Sequence, residues 1–232
     1  MSVKSRWING QLVFIDGVRR QRWLDAIGPN VCKFIEDFVG TPFAGADALA
    51  AWTTTLVEGG AGETTIALQD GVGGELLVTT DAADNDGANL QVTKEAFKLA
   101  SGKPCYFGVK LKLSEATQSD LLVGLCITDT DLLGGMTDGV YFRKADASTT
   151  LAFVLEKNST ETTGNVLTVA ANTYYTLEFF FDGTNIDSYV DGVLQTRLAI
   201  TNLPDDEELT PSIHVLTGEA VAHTATIDWI RT

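Results

Sequence analysis

Along most of the chain, apolar and polar residues alternate with a period of two. In YFGVKLKLS, Phe107, Val109, Leu111 and Leu113 fall on one side, and Lys110 and Lys112 on the other. Such alternation marks a strand with one face buried. From Trp52 onward the same grammar recurs in WTTTLVE, TTIALQD, GELLVTT, NLQVTKEAFKL, CYFGVKLKL, LLVGLCITD, GVYFRKA, TLAFVLEKN, NVLTVA, YYTLEFFFD, NIDSYVD, VLQTRLAI, PSIHVLTG and HTATIDWIRT. Clusters of Gly, Asp, Asn and Ser separate the runs. Many short strands with frequent turn signals predict an all-β sandwich or barrel. No helix-length periodic segment interrupts them, which excludes a parallel α/β sheet.

The start of the chain reads differently. QLVFIDGVRRQRWL sets Asp16-Gly17 between two extended runs, a hairpin signal of the primed-turn kind. GPNVCKFIEDFVG then spaces Val31, Phe34, Ile35 and Phe38 as one helical stripe, with Pro29 near its start and Gly40 after its end. One short amphipathic helix is expected there, followed by TPFAGADALAA as a linker. The chain therefore divides into an N-terminal arm over residues 1–45 and a β-sandwich domain over residues 46–232.

Two stretches narrow the fold. TYYTLEFFFDGTNIDSYVDGVLQT resembles a cassette of the concanavalin A-like (laminin G-like) jelly roll: a strand ending in Asp-Gly, a Tyr-Val-Asp-Gly hairpin and a further strand. HTATIDWIRT is similar to that family's final strand. The resemblance covers roughly residues 50–232 and implies a concanavalin A-like jelly-roll β-sandwich, a fold that hosts lectins, glycosidases and structural modules alike. Over the whole chain, DAIGPNVCKFIEDFVG, TTDAADNDGANLQ, DGVYFRKAD and LPDDEELTPSIHVLTG resemble a group of tailed-bacteriophage virion proteins. That second resemblance implies a noncatalytic capsid decoration protein, bound to the major capsid protein on the particle exterior, made in the host cytoplasm and assembled as a homo-oligomer, with a trimer expected by analogy. The alternative is a carbohydrate-binding or tail-associated host-adsorption module of the same fold.

Charge adds an asymmetry. Residues 1–33 carry a net charge of +4, the remainder −19, and the whole chain −15. So acidic a body repels phosphate backbones, so nucleic-acid binding is not expected. The basic start is either a solvated hairpin or an arm that docks on an acidic partner. In the second case Arg19, Arg20 and Arg22, with Phe34 and Phe38 from the stripe, are the interface candidates, since arginine forks hold carboxylates bidentately; otherwise Val31, Phe34, Ile35 and Phe38 pack on the sandwich. A chain beginning near residue 45 is then expected to fold but to lose its attachment. No apolar run approaches the ~20 residues that cross a bilayer, so no membrane segment is expected. MSVKSRWINGQ lacks the apolar core of a secretory signal. Three widely spaced cysteines, Cys32, Cys105 and Cys126, argue against a disulfide framework or a thiolate metal site.

Candidate chemistry is sparse. A jelly-roll glycosidase is expected to carry paired carboxylates at alternate positions of one strand, and no strand here has them. Asp205-Asp206-Glu207-Glu208 follows Pro204 and reads as a solvated turn. There is no Gly-x-Ser-x-Gly elbow, His214 and His223 read as satisfied structural residues, and SGKPC lacks the spacing of a phosphate loop. The expectation is no enzyme and no cofactor. TTDAADNDGANL offers Asp81, Asp84 and Asp86 as oxygen ligands for calcium, against the plainer reading of a turn at Gly87. Trp7, Trp23, Trp52 and Trp229 read as packing residues, and sugar binding would fall to loops.

Overall fold

The computed structural model describes residues 3–8, 10–17, 23–39 and 51–232. The first three strands, β1 (Val3–Ile8), β2 (Gln11–Asp16) and β3 (Trp23–Ile27), form a small antiparallel sheet in that order. Next come β4 (Ile35–Glu36), β5 (Trp52–Val57), β6 (Thr65–Gln69), β7 (Glu75–Thr79), β8 (Gly87–Val92), β9 (Cys105–Leu113) and β10 (Ser119–Cys126). The remaining strands are β11 (Gly139–Lys144), β12 (Thr150–Lys157), β13 (Thr160–Thr168), β14 (Tyr175–Phe181), β15 (Ile186–Val190), β16 (Val193–Leu198), β17 (Thr210–Thr217) and β18 (Thr224–Arg231). The only helix among the described residues is a 3-10 turn at Ile200–Asn202.

Two large antiparallel sheets make a jelly-roll sandwich. One runs β13-β12-β11-β10-β17-β8-β5; the other runs β16-β15-β14-β9-β18-β7-β6, with β4 pairing β18 as well. Inward side chains of both sheets form one core. Phe107 and Phe179 from the eight-stranded sheet stack at 5.2 Å, Phe179 meets Phe153 of the seven-stranded sheet at 5.6 Å, and Phe153 meets Phe142 at 5.1 Å. Each such ring contributes roughly 1.5–3 kcal/mol through removal from water. The alternation read at Phe107, Val109, Leu111 and Leu113 is realised, with all four buried in that core.

Turn chemistry sets the register. Val190 pairs with Val193, leaving Asp191 and Gly192 as a two-residue loop with φ of 48° and 69°. Two positive φ values define the primed turn whose twist matches its strands. The Asp191 carboxylate also accepts the Thr176 N–H at 2.9 Å, tying the turn to β14. Asp182-Gly183 works differently: the Asp182 carboxylate accepts N–H groups from Thr184 and Asn185 at 2.8 and 2.7 Å, and the loop is longer.

The helix expected over residues 28–40 does not form over the described residues 28–39. The Gly28 carbonyl accepts the Val31 N–H at 3.2 Å, which spends Pro29 inside a turn. Phe34 and Thr232 then exchange backbone hydrogen bonds at 2.8 and 2.9 Å, and Ile35–Glu36 pairs with β18. Pairing with a sheet edge satisfies these backbone groups outside a helix. Phe38 turns inward with φ of 55° and is 2% exposed. A Cβ at Gly74 would lie 2.7 Å from the Phe38 carbonyl, so this close crossing needs glycine.

Candidate functional site

On the seven-stranded sheet the outward side chains are buried almost as deeply as the inward ones. Leu122, Tyr141, Val154, Glu156, Asn89, Gln91 and His214 all face away from the core. Their cover is the segment 127–138 between β10 and β11. Leu132 and Met136 of that segment pack on Leu122, Cys126, Tyr141 and Val154 as a second apolar cluster. Two amides hold its backbone. Asn89 Nδ2 donates to the Thr130 carbonyl at 2.7 Å, and Gln91 Nε2 donates to the Ile127 carbonyl at 2.9 Å. The Asp129 N–H donates back to Gln91 Oε1 at 2.9 Å.

Beneath the cover, the hydrogen-bond pattern fixes the His214 tautomer. Because the Asn89 NH2 group is committed to Thr130, its Oδ1 is an acceptor, and His214 Nδ1–H donates to it. Nε2 therefore bears the lone pair; it is buried and has no hydrogen-bond partner. Loss of hydration lowers the His214 pKa to about 4, with Asp131 opposing weakly. This imidazole is neutral at neutral pH and a poor proton acceptor.

From beneath the cover to its margin, the same face carries a polar network. Tyr141 Oη donates to Glu156 Oε2 at 2.7 Å. Arg143 grips Glu161 with both terminal nitrogens, at 2.6 and 2.8 Å. Register brings the acids together: Lys157 pairs with Thr160 across Asn158 and Ser159, whose φ values are 50° and 58°, so Glu156 stands directly opposite Glu161. Burial raises the Glu156 pKa, the Tyr141 hydrogen bond and Arg143 pull it down, and Glu161 and Asp138 add to the rise. Burial and the bond to Glu156 push the Tyr141 phenol up, and the Glu161 carboxylate raises Arg143. One face thus holds a carboxyl biased toward its protonated form beside a carboxylate in an arginine fork. Carboxyl groups fixed side by side in this way are raw material for hydroxyl recognition.

Strand-by-strand reading missed this pair because its members lie on neighbouring strands. The available signal was Asn158-Ser159, a two-residue turn that places residues 156 and 161 face to face.

The residues singled out in the sequence are scattered. Asp86 is fully buried and its Oδ1 accepts the Gly59 N–H, but Asp81 and Asp84 do not join it. No three His, Cys, Asp or Glu side chains among the described residues are grouped to hold a metal. Asp205 and Asp206 flank Lys157 at 2.6 and 2.8 Å, and Glu208 pairs with Lys98 at 3.0 Å, all in a solvated turn. His223 pairs with Glu219 at 3.0 Å. Arg19, Arg20 and Arg22 lie outside the described residues.

Of the stripe residues, Phe38 belongs to the core, and Phe34, half-buried, packs against that core and meets Trp52 edge-on at 5.6 Å, as the sandwich-packing alternative expects. Trp23 rests on Phe180 at 5.8 Å, and Arg231 lies 4.7 Å from the centre of Trp229, as packing roles require. Trp7 departs from that expectation, being 72% exposed. Between the arm strands and the end of the sandwich opens a cleft of about 820 Å³, lined among others by Trp23, Cys32, Lys103, Cys105, Tyr106 and Arg231.

No family model matches the sequence, and no curated protein does. Solved structures do share the fold. A prokaryotic β-1,3-1,4-glucanase (lichenase) from a mouse hindgut metagenome superposes with a TM-score of 0.59 at 17% identity, over 87% of this chain and 98% of that one. A Bacteroides ovatus mixed-linkage-glucan GH16 protein, solved with a G4G4G3G product, gives 0.59 at 14% identity over 85% and 98%. The Emp47p carbohydrate recognition domain gives 0.59 at 12% identity over 85% and 92%. At these identities the likeness is one of fold. It nevertheless overturns the expectation that the chain is no enzyme. That exclusion rested on motifs within single strands, whereas the fold is shared with glycan hydrolases and Glu156 and Glu161 pair across strands.

Proposed function

We propose that this jelly roll recognises a glycan on the outer face of its seven-stranded sheet, at the half-exposed Arg143–Glu161 fork, which the buried Tyr141–Glu156 pair backs. The carrying observation is that network itself: two fixed carboxyl groups and an arginine fork beside an aromatic ring, on a fold shared with β-glucan hydrolases and a carbohydrate recognition domain. Planar, pre-paired polar groups match the spacing of sugar hydroxyls and need little reordering on binding. The test is a glycan array followed by calorimetry with soluble β-glucans. Arg143→Ala and Glu161→Ala are each expected to weaken binding about tenfold, equivalent to ~1.4 kcal/mol. Binding that both variants leave unchanged, or no binding across the panel, would refute the reading. Reducing ends released by the wild type and not by Glu156→Gln would extend it from recognition to cleavage.

We further propose that this module acts on the exterior of a tailed-phage particle. Support comes from the sequence resemblance to virion proteins and from the charge of −15, which keeps densely arrayed copies apart. Two placements differ in number. As a decoration protein, a homotrimer on the major capsid protein, it would be present in hundreds of copies per particle; as a tail-associated adsorption module, in at most a few dozen. Quantitative mass spectrometry of purified particles separates them, and absence from particles removes both.

A further inference from the structure

Two thiols line the cleft between the arm and the sandwich. Cys32 is exposed on the irregular stretch leading to β4, and Cys105 is partly buried at the start of β9. Thr232 stands between them. Its backbone is bridged both ways to Phe34, two residues after Cys32, and its hydroxyl donates at 2.8 Å to the carbonyl of Tyr106, next to Cys105. The strand registers agree: β18 pairs Arg231 with Ile35 on one side and with Gly108 on the other, so both cysteines lie at the same end of the sheet. Cys126, in contrast, is sealed beneath the segment 127–138.

We propose that Cys32 and Cys105 are a thiol–disulfide pair, closed by a low-molecular-weight disulfide such as oxidised glutathione into a bond that pins the arm to the sandwich. The exposed Cys32 thiolate attacks one sulfur of the oxidant, and the other leaves as a thiolate that takes up the proton. Cys105 then gives up its proton and attacks the Cys32 sulfur, expelling the second small thiol, which takes that proton. Two protein thiols are oxidised to one disulfide, and one disulfide oxidant is reduced to two thiols.

The two steps differ in speed. Burial pushes the Cys105 thiol up to about 12, so it is the slow attacker and a mixed disulfide on Cys32 accumulates first. Geometry adds a second delay. Segments on either side of one intervening strand are about 9–10 Å apart, whereas bridged Cα atoms lie within about 7 Å. The irregular stretch 31–34 must swing toward β9, and closing the bond narrows the cleft.

The test treats the full chain with oxidised glutathione under mildly alkaline conditions and follows intact mass and peptide maps. The expected course is a single glutathione adduct on Cys32, replaced by a species two hydrogens lighter than the reduced protein. In that species the Cys32 and Cys105 peptides are linked within one chain. Cys105→Ser should stop at the adduct, and Cys32→Ser should take up no glutathione. Trypsin should shed the arm several-fold more slowly from the oxidised wild type, and a dithiol reductant should restore the original rate. A lasting Cys32 adduct on the wild type, or links formed only between chains, would overturn the proposal. The wild-type peptide map decides the matter even if Cys105→Ser does not fold.

Discussion

Acid should destabilise this protein through one side chain. His214 folds with its Nδ1–H on Asn89 and its other nitrogen buried without a partner, which lowers its pKa from 6.5 to about 4. In the unfolded chain the imidazole takes its proton near pH 6.5, while the folded state refuses it until about pH 4. The unfolded state thus binds more protons across that window, so stability is full above pH 6.5 and declines as pH falls to about 4, then levels. At about 1.4 kcal/mol per pKa unit, the loss is about 3 kcal/mol. Glu156 and Asp120, both raised mainly by burial, act in the opposite sense in the carboxylate range, so the wild type alone is not diagnostic. His214→Gln, which is neutral at every pH, provides the reference. Urea unfolding of both proteins between pH 7 and pH 4 should show the wild type losing about 3 kcal/mol relative to the variant. A relative change under about 1 kcal/mol, or an NMR titration placing His214 near its ordinary value, would refute the burial argument.

Leu132→Ala should cost about 2–4 kcal/mol and increase binding of an apolar dye, since Leu132 seats the segment 127–138 on Leu122, Tyr141 and Val154; chemical denaturation reads both. Phe38→Ala should cost about 3–4 kcal/mol, and a chain beginning near residue 46 should melt well below the full protein because it lacks Phe34 and Phe38 together; equal melting temperatures would return these side chains to the list of external contacts. Gly192→Val should cost about 1–2 kcal/mol in thermal melts, because a β-branched residue resists the φ of 69° that this turn position adopts.

Much of the sandwich was legible because period and turn chemistry agree. Each run read from Trp52 onward overlaps one of the strands β5 to β18, although β8 ends at Val92, well before the end of NLQVTKEAFKL, and Asp191-Gly192 forms the turn its residue types favour. β13 was read short: Thr160 to Asn165 is polar because that strand is the exposed edge of its sheet, and no buried face imposes alternation there. The segment 31–39 misled for another reason. Its apolar spacing fits a helix, but Phe34 and Ile35 pair with the end of β18, a partner some two hundred residues away that local periodicity cannot report. The Glu156–Glu161 pair was hidden in the same way, since its geometry belongs to a hairpin register and not to either strand.

The order of strands has a consequence for how the chain is made. β17 lies between β10 and β8, and β18 lies between β9 and β7, so the last two strands occupy interior places in the two large sheets. Until they emerge from the ribosome, each sheet exists as two halves with four unpaired edges between them. Open edges of this kind recruit whatever strand is nearest, including the same strand of a neighbouring nascent chain. Because nearly every contact that closes the sandwich joins distant positions, closure is intrinsically slow. The vulnerable interval therefore lasts until β17 and β18 are made, and exchange of β17 or β18 between chains is the misassembly to which this topology is most exposed.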